Sequence, residues 1–207
     1  MVQTLRERKK ERTRDALVTA GMQLFAERGF QSVTVADIAA RADIAPRTFH
    51  RYFPDKVELL FAGDQEVRET VRLALQQEPP GVDPVMVVRS VLTAVGERLA
   101  GKHAELVIRH QLLTEVPALR DRDLAKRAAT EELVAEHLAQ RLGVDVDHDV
   151  RPRWWAGVAF ATFAAGYQTW LAQGGDLSAH LDSAARLLDH DKTGPLPVTS
   201  VRVASWR

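Results

Sequence analysis

Apolar residues recur at three- and four-residue intervals along nearly the whole chain, and no stretch alternates with period two over a useful length. That pattern predicts helices and argues against a sheet-built core. The first segment sets Ala16, Leu17, Ala20, Gly21, Leu24 and Phe25 on one face and stops at Gly29, a residue suited to a helix C-terminus. Thr34, followed three residues later by Asp37, starts a second helix reaching about Arg41. There the hydroxyl caps the helix and the carboxylate answers it. Pro46 presets the first turn of a third helix, and Pro54 ends it near Phe53. Asp55 and Glu58 open a fourth helix expected to reach Gln77, closed by the loop Pro79-Pro80-Gly81. Five more helices are expected over about 84–100, 103–114, 119–142, 151–173 and 178–189, followed by a loose tail at 193–207. The fold class is all-α, with about nine helices.

Residues 34–53 place two short helices around a turn of three or four residues, the arrangement of a helix-turn-helix. Val35, Ile38, Ala39, Ile44, Phe49 and Phe53 can face the first helix, which leaves Arg47, Thr48, His50, Arg51 and Tyr52 outward. Such a surface divides labour on a duplex. Thr, Tyr, Lys and helix N-termini fix register on phosphates, while Arg forks read base edges in the major groove. Arg47 and Arg51 lie one turn apart, Thr34 stands at a helix start, and Lys56 opens the next helix. Arg6, Arg8, Lys9, Lys10, Arg12 and Arg14 form a basic arm able to follow the DNA backbone or enter the minor groove.

Charge distribution supports this division. The 28 basic and 28 acidic residues cancel overall, yet residues 1–53 hold ten basic against six acidic side chains. A basic head on an acidic body points the head at a polyanion. The absence of cysteine removes disulfides, thiolate metal sites and Cys nucleophiles together. No apolar run follows the charged start, so a cytoplasmic location is expected. The 22 uncharged residues between Arg153 and Asp176 are rich in Ala and Gly and predict a helix buried in a bundle or dimer rather than a membrane span.

Other chemistry is thin. Asp145, Asp147 and Asp149 begin like a calcium loop, but Val150 and Ala156 stand where Gly and Glu are needed. A helix–helix turn with Asp149 as cap fits better. No hydrolase, nucleotide-binding or metal motif occurs, so neither an enzyme nor a cofactor is expected. In the segment 103–114, Leu106, Leu112 and Leu113 make an apolar stripe that includes Arg109 and His110. Arg109 either pairs with an acid such as Glu105, Glu115 or one from another helix, or anchors an anionic ligand in a greasy cavity with His110 and Leu113.

The run Thr34-Val35-Ala36-Asp37-Ile38-Ala39, then Ala42, Ile44-Ala45, Thr48-Phe49-His50-Arg51-Tyr52-Phe53 and Lys56, resembles the DNA-binding head of TetR-family transcriptional repressors, with Ala20, Leu24-Phe25 and Gly29-Phe30 in register. The resemblance implies transcription regulation by a homodimer on a near-palindromic operator, released when a small molecule enters the body. It assigns phosphate contacts to Thr34, Thr48, Tyr52 and Lys56, and base-facing positions to Pro46, Arg47, His50 and Arg51. Two positions depart from it: Ala45 stands where Ser or Thr commonly caps, and His50 where Tyr is usual. The expected domains are a head at 1–54, a ligand-binding and dimerisation body at 55–192, and the tail. The last two helices resemble the family's dimerisation pair. The Leu112–Arg120 segment is similar to TetR-type bodies, and some regulators with such bodies respond to acyl-coenzyme A thioesters. The competing reading is a small-molecule-binding or enzymatic helical bundle whose head has lost DNA binding.

Overall fold

The structure, a computed structural model, describes residues 4–79 and 81–192; the tail at 193–207 lies outside the described residues. Ten α-helices and a final 3-10 helix form among these residues, with no strand. Helix α1 (Leu5–Arg28) starts with a capping box in which Thr4 Oγ1 accepts from the Glu7 amide and Glu7 accepts from the Thr4 amide. The basic arm is therefore the first turns of a helix and not a free strand of chain. Leu17, Val18, Ala20, Gly21, Met22, Leu24 and Phe25 are buried while Ala16 is exposed. This face is broader than the spacing suggested because α1 packs on three partners.

Helix α2 (Val35–Arg41) has the expected Thr34–Asp37 capping box. Its end is a Schellman turn: the Asp43 amide donates to Ala40 O at 3.1 Å and the Ile44 amide to Ala39 O at 2.8 Å. Asp43 takes the left-handed position at φ 55° that glycine usually fills. Helix α3 (Pro46–Phe49) lacks a side-chain cap at Ala45. It is shorter than expected. From Thr48 onward the chain closes by tighter bonds, Arg51 N to Thr48 O and Tyr52 N to Phe49 O, which bring Phe49 and Phe53 together in the core.

The expected fourth helix is two helices, α4 (Lys56–Leu60) and α5 (Asp64–Gln77). Leu59, Leu60, Phe61 and Ala62 are four consecutive buried residues. At 100° per residue, one straight helix cannot point all four at one surface, so the chain turns at residues 61–63. The body continues with α6 (Pro84–Leu99), α7 (His103–Glu115), α8 (Pro117–Leu142), α9 (Val150–Gln173) and α10 (Leu177–Arg186), then the 3-10 helix Leu187–Lys192. Asp149 caps α9 through the Arg151 amide.

Two apolar cores result. The lower one joins α1 to α4 and takes in Leu112 of α7 and Leu119 of α8. The upper one is centred on α9, which contacts α6, α7, α8 and α10, and it buries Leu75, Leu92, Leu138, Trp170 and Leu181. Gly166 lets α10 approach α9 closely: a Cβ there would meet Leu181 Cδ2 at 2.9 Å and His180 O at 3.0 Å. Part of the small-residue surface of α9 thus serves packing inside the chain. No described helix is long and apolar enough to cross a membrane.

Candidate nucleic-acid interface and effector site

The head presents its predicted residues on one short, rigid frame. Phe49 is fully buried, and Pro46, Arg47, His50 and Arg51 around it are exposed. Pro46 holds the first turn by its fixed φ, in place of the missing cap at Ala45. His50 Nδ1 lies 3.2 Å from Pro54 O, a contact that leaves Nε2 outward when Nδ1 carries the proton. Arg51 Nη2 donates to Tyr52 Oη at 3.1 Å, and the guanidinium sits 5.1 Å from the Tyr52 ring centre. Thr48 is half-buried and Thr34 exposed. Burial raises the Tyr52 phenol, but hydrogen bonds with Arg51 and Thr13 and the charges of Arg51 and Lys10 together lower it below its ordinary value.

Thr34 is occupied by its own cap. Its hydroxyl donates to Asp37 Oδ2 at 2.5 Å and its amide to the same oxygen at 2.8 Å. Those hydrogen bonds hold the Asp37 carboxyl below its usual range. Lys56 opens α4, and its ammonium points into the α1–α2 connection, where it meets the carbonyls of Phe30 and Val33. Arg14 also leaves the basic arm: it donates to Ala62 O and pairs with Glu66 at 3.1 Å. Arg98 of α6 pairs with the same Glu66. Glu66 therefore joins the head's first helix to the body, a role with no signature in the local sequence.

In the body, Arg109 is paired, and with acids more distant than Glu105 or Glu115. Its Nη2 lies 2.5 Å from Asp123 of α8 and 3.3 Å from Asp64 at the start of α5. The guanidinium stands 5.3 Å from the Phe61 ring centre, and its Nε is buried without an acceptor. Burial pushes Tyr167, hydrogen-bonded to Arg109, up to about 12. Burial also raises the Asp64 carboxyl, outweighing the opposing charges of Arg109 and Lys126. His110, next in sequence, is exposed and stands apart from this cluster. Leu113 is half-buried against the lower core.

The bend between α4 and α5 is held from the body side by three cations. Arg122 and Lys126 pair with Glu58, Lys126 and Arg109 flank Phe61, and Arg109 meets Asp64. Ion pairs thus occupy the region expected to open as a pocket. Among the described residues, crevices also lie elsewhere. One of about 230 Å³ between α8 and α9 is lined by Glu131, Glu132 and Arg153 among others. A smaller one, about 50 Å³, lies between α6 and α10.

A capped helix-turn-helix with an exposed, arginine-bearing third helix, mounted on an all-α body, defines a DNA-binding transcriptional regulator. Residues 17–62 match the family described as bacterial regulatory proteins, tetR family, and residues 82–192 match the MftR C-terminal domain. The chain belongs to the TetR family of transcriptional regulators. It is 33% identical over 155 residues to the transcriptional regulator TcmR of Streptomyces glaucescens, covering 72% of this chain and 69% of that protein. The repressor LfrR of Mycolicibacterium smegmatis is 34% identical over 76 residues, 37% of this chain and 39% of its own length. Among solved structures, the TetR-family repressor FadR of Thermus thermophilus, in complex with lauroyl-CoA, is 29% identical with a TM-score of 0.53, covering 91% of this chain and 99% of that one. The fatty acid degradation regulator FadR of Bacillus halodurans has a TM-score of 0.62 at 22% identity over 88% of this chain and 97% of its own, a likeness of fold.

Proposed function

We propose that this chain is a homodimeric repressor whose heads read a near-palindromic operator and leave it when a small hydrophobic anion binds the body. The exposed α3 surface around buried Phe49 carries the reading. Pro46, Arg47, His50 and Arg51 face bases, with Arg47 and Arg51 as forks. Thr48 and Tyr52 hold phosphates, with Arg6, Arg8, Lys9, Lys10 and Arg12, exposed along α1, adding charge beside them; Thr34, whose hydroxyl and amide already serve Asp37, fixes the start of α2 instead.

The subunits pair through α9, α10 and the 3-10 helix that follows. Within one chain, α9 buries one face and leaves Trp154 (59% exposed), Ala161, Ala165, Gln168 and Thr169 outward, near-neutral and mostly small; Leu187 is 58% exposed. Self-complementary pairing across a two-fold axis covers such a surface. The effector class is an acyl-CoA or similar hydrophobic anion, supported by the lauroyl-CoA held by the Thermus thermophilus FadR. Its anionic group engages Arg109, whose Nε has no acceptor, with Leu113 as an apolar neighbour. An anion that takes Arg109 from Asp64 alters the start of α5. Effector and operator then oppose each other by the same factor.

The test is selection of random duplex DNA by the purified protein, followed by titration of the enriched pool across salt and by sedimentation. A near-palindrome bound by a dimer, with affinity falling as salt rises, is expected. A folded, ligand-free dimer that enriches no duplex at low salt would favour the bundle without DNA binding. A melting-temperature panel with lauroyl-CoA and fatty acids tests the effector class; no shift with any of them sinks it.

A further inference from the structure

Among the described residues, the side-chain nitrogens that are buried with no hydrogen-bond partner are Arg68 Nε, Arg109 Nε and His137 Nε2. They come from α5, α7 and α8, yet the fold brings all three to the line where α5 meets α8. At one end of that line, Asp64 of α5 shares Arg109 with Asp123 of α8. Further along, the His137 imidazole donates to the Leu75 carbonyl, and at the far end Arg141 donates to the Glu78 carbonyl at 2.7 Å. The two helices therefore run side by side in the same direction. Asp64, Arg68, Val71 and Leu75 lie on one face of α5, so Arg68 stands on this seam one turn beyond Asp64.

Arg68 differs from its counterparts in the body. Arg72, Arg89, Arg98, Arg109 and Arg141, half-buried as it is, each hold a carboxylate or a backbone carbonyl. No acceptor among the described residues engages Arg68. A guanidinium carries five N–H donors and no acceptor, and a buried donor left unpaired is costly. His137 has the opposite need. Burial, then the charge of Arg141, lower its pKa, so the ring is neutral. With its proton given to Leu75, the Nε2 lone pair can only accept. Unpaired buried polar atoms are rare in native folds, and each calls for a reason; three along one seam share one.

We propose that the α5–α8 seam binds a hydrophobic anion with a polar group at each end, its anionic oxygens bridging Arg68 and Arg109 and a hydroxyl at the other end donating to His137 Nε2. Leu75, which meets His137, lies seven residues beyond Arg68, about 10 Å along the helix axis, and this sets the spacing of the two ends. Val71 and Leu75, both buried, give the seam its apolar wall between them. The proposal rests on the effector reading above. It adds Arg68 and His137 to Arg109, and it narrows the effector from any hydrophobic anion to one hydroxylated far from its charge.

Two measurements test it. In the free protein, Arg68→Met removes an unpaired donor without breaking a pair, so the variant should melt at or above the wild-type temperature. A fall of more than about 3 °C shows that Arg68 holds the fold, and it overturns the proposal. This arm needs no ligand, so it still decides the role of Arg68 if the effector reading itself fails.

The second measurement is calorimetric titration of the full chain with decanoate, 10-hydroxydecanoate and 1-decanol. The wild type should bind the hydroxy acid about fivefold more tightly than decanoate, and decanoate about tenfold more tightly than decanol. Arg68→Met should lose about tenfold on both acids, and His137→Phe only the preference for the hydroxyl. No binding of the hydroxy acid, equal binding of acid and alcohol, or unchanged acid binding in Arg68→Met overturns the proposal. A melting shift with lauroyl-CoA that persists in Arg68→Met leaves the effector reading standing and removes the seam from it.

Discussion

In the head, Arg47 of α3 and Arg51 just beyond it stand exposed around a buried phenylalanine. In the body, Arg109 lies between two carboxylates with a tyrosine and a phenylalanine beside it. The same side chain serves opposite ends in the two regions. An exposed Arg spends little on desolvation and keeps its fork for a partner, whereas a buried one must be satisfied from within. The head can therefore be cut back at its surface without harm to its fold, while the body's charges are part of the fold.

The largest expected effect is on the head. Replacing Arg47 and Arg51 together by Ala should weaken operator binding by about 2–6 kcal/mol, from ~1–3 per base-reading fork, and leave the melting temperature of the protein within a degree or two. If affinity stays unchanged, α3 is not the reading helix. The contrasting cut in the body is Arg109→Met, which leaves Asp64 and Asp123 without their shared cation. A loss of about 2 kcal/mol of stability is expected, below the full cost of a broken buried pair because all three groups keep some solvent contact. Denaturant unfolding measures it, and an unchanged midpoint would show that the cluster is not structural.

Asp64→Asn sharpens this point through pH. Burial raises the Asp64 carboxyl in the folded protein, so the unfolded chain ionises it more readily. The wild type therefore loses stability as pH rises from the ordinary value of 3.8 through the raised one, and carries the full penalty above it. The variant lacks that penalty. At pH 7 it should melt at or above the wild-type temperature, and its advantage should shrink as pH falls toward 4. A variant that melts lower at pH 7 would mean that the Arg109 pair outweighs desolvation.

Glycines offer the next comparison. Gly166→Ala drives a Cβ against Leu181 and the His180 carbonyl, whereas at Gly157 the nearest atom is Glu131 Oε1 at 3.6 Å. The first should cost about 1–3 kcal/mol and the second little, read from paired denaturation curves. The smallest effect returns to the head. The Schellman turn after α2 uses Asp43 in the left-handed position, while the equivalent turn after α8 uses Gly143. Asp43→Gly should stabilise the head by about 0.5–1 kcal/mol, since it removes the Cβ strain. A loss instead would show that the Asp side chain holds that turn.

The two regions also differ in how much of them could be read from the chain. Thr34 with Asp37, Gly29, Pro46 and Pro54 act on their nearest neighbours, so the helix-turn-helix and its exposed residues followed from local spacing. Boundaries of the long helices followed from apolar periodicity for the same reason. The bend at residues 61–63 did not, because Asp55 through Gln77 has good helical spacing and only packing into the lower core draws four successive residues, Leu59 to Ala62, inward. Arg109 could be recognised as notable, but not its partners. Asp64, Asp123 and Tyr167 come from three other helices, and pairing across the fold leaves no pattern within any one of them. Likewise Lys56 looked like a free cation beside a helix start until the fold brought the Phe30 and Val33 carbonyls to it. What acts along the chain, capping, turn chemistry and periodicity, was determined by the sequence itself. Which charges stay exposed for a partner and which are consumed inside was decided only when helices distant in sequence packed together, because burial and pairing are properties of neighbours in space.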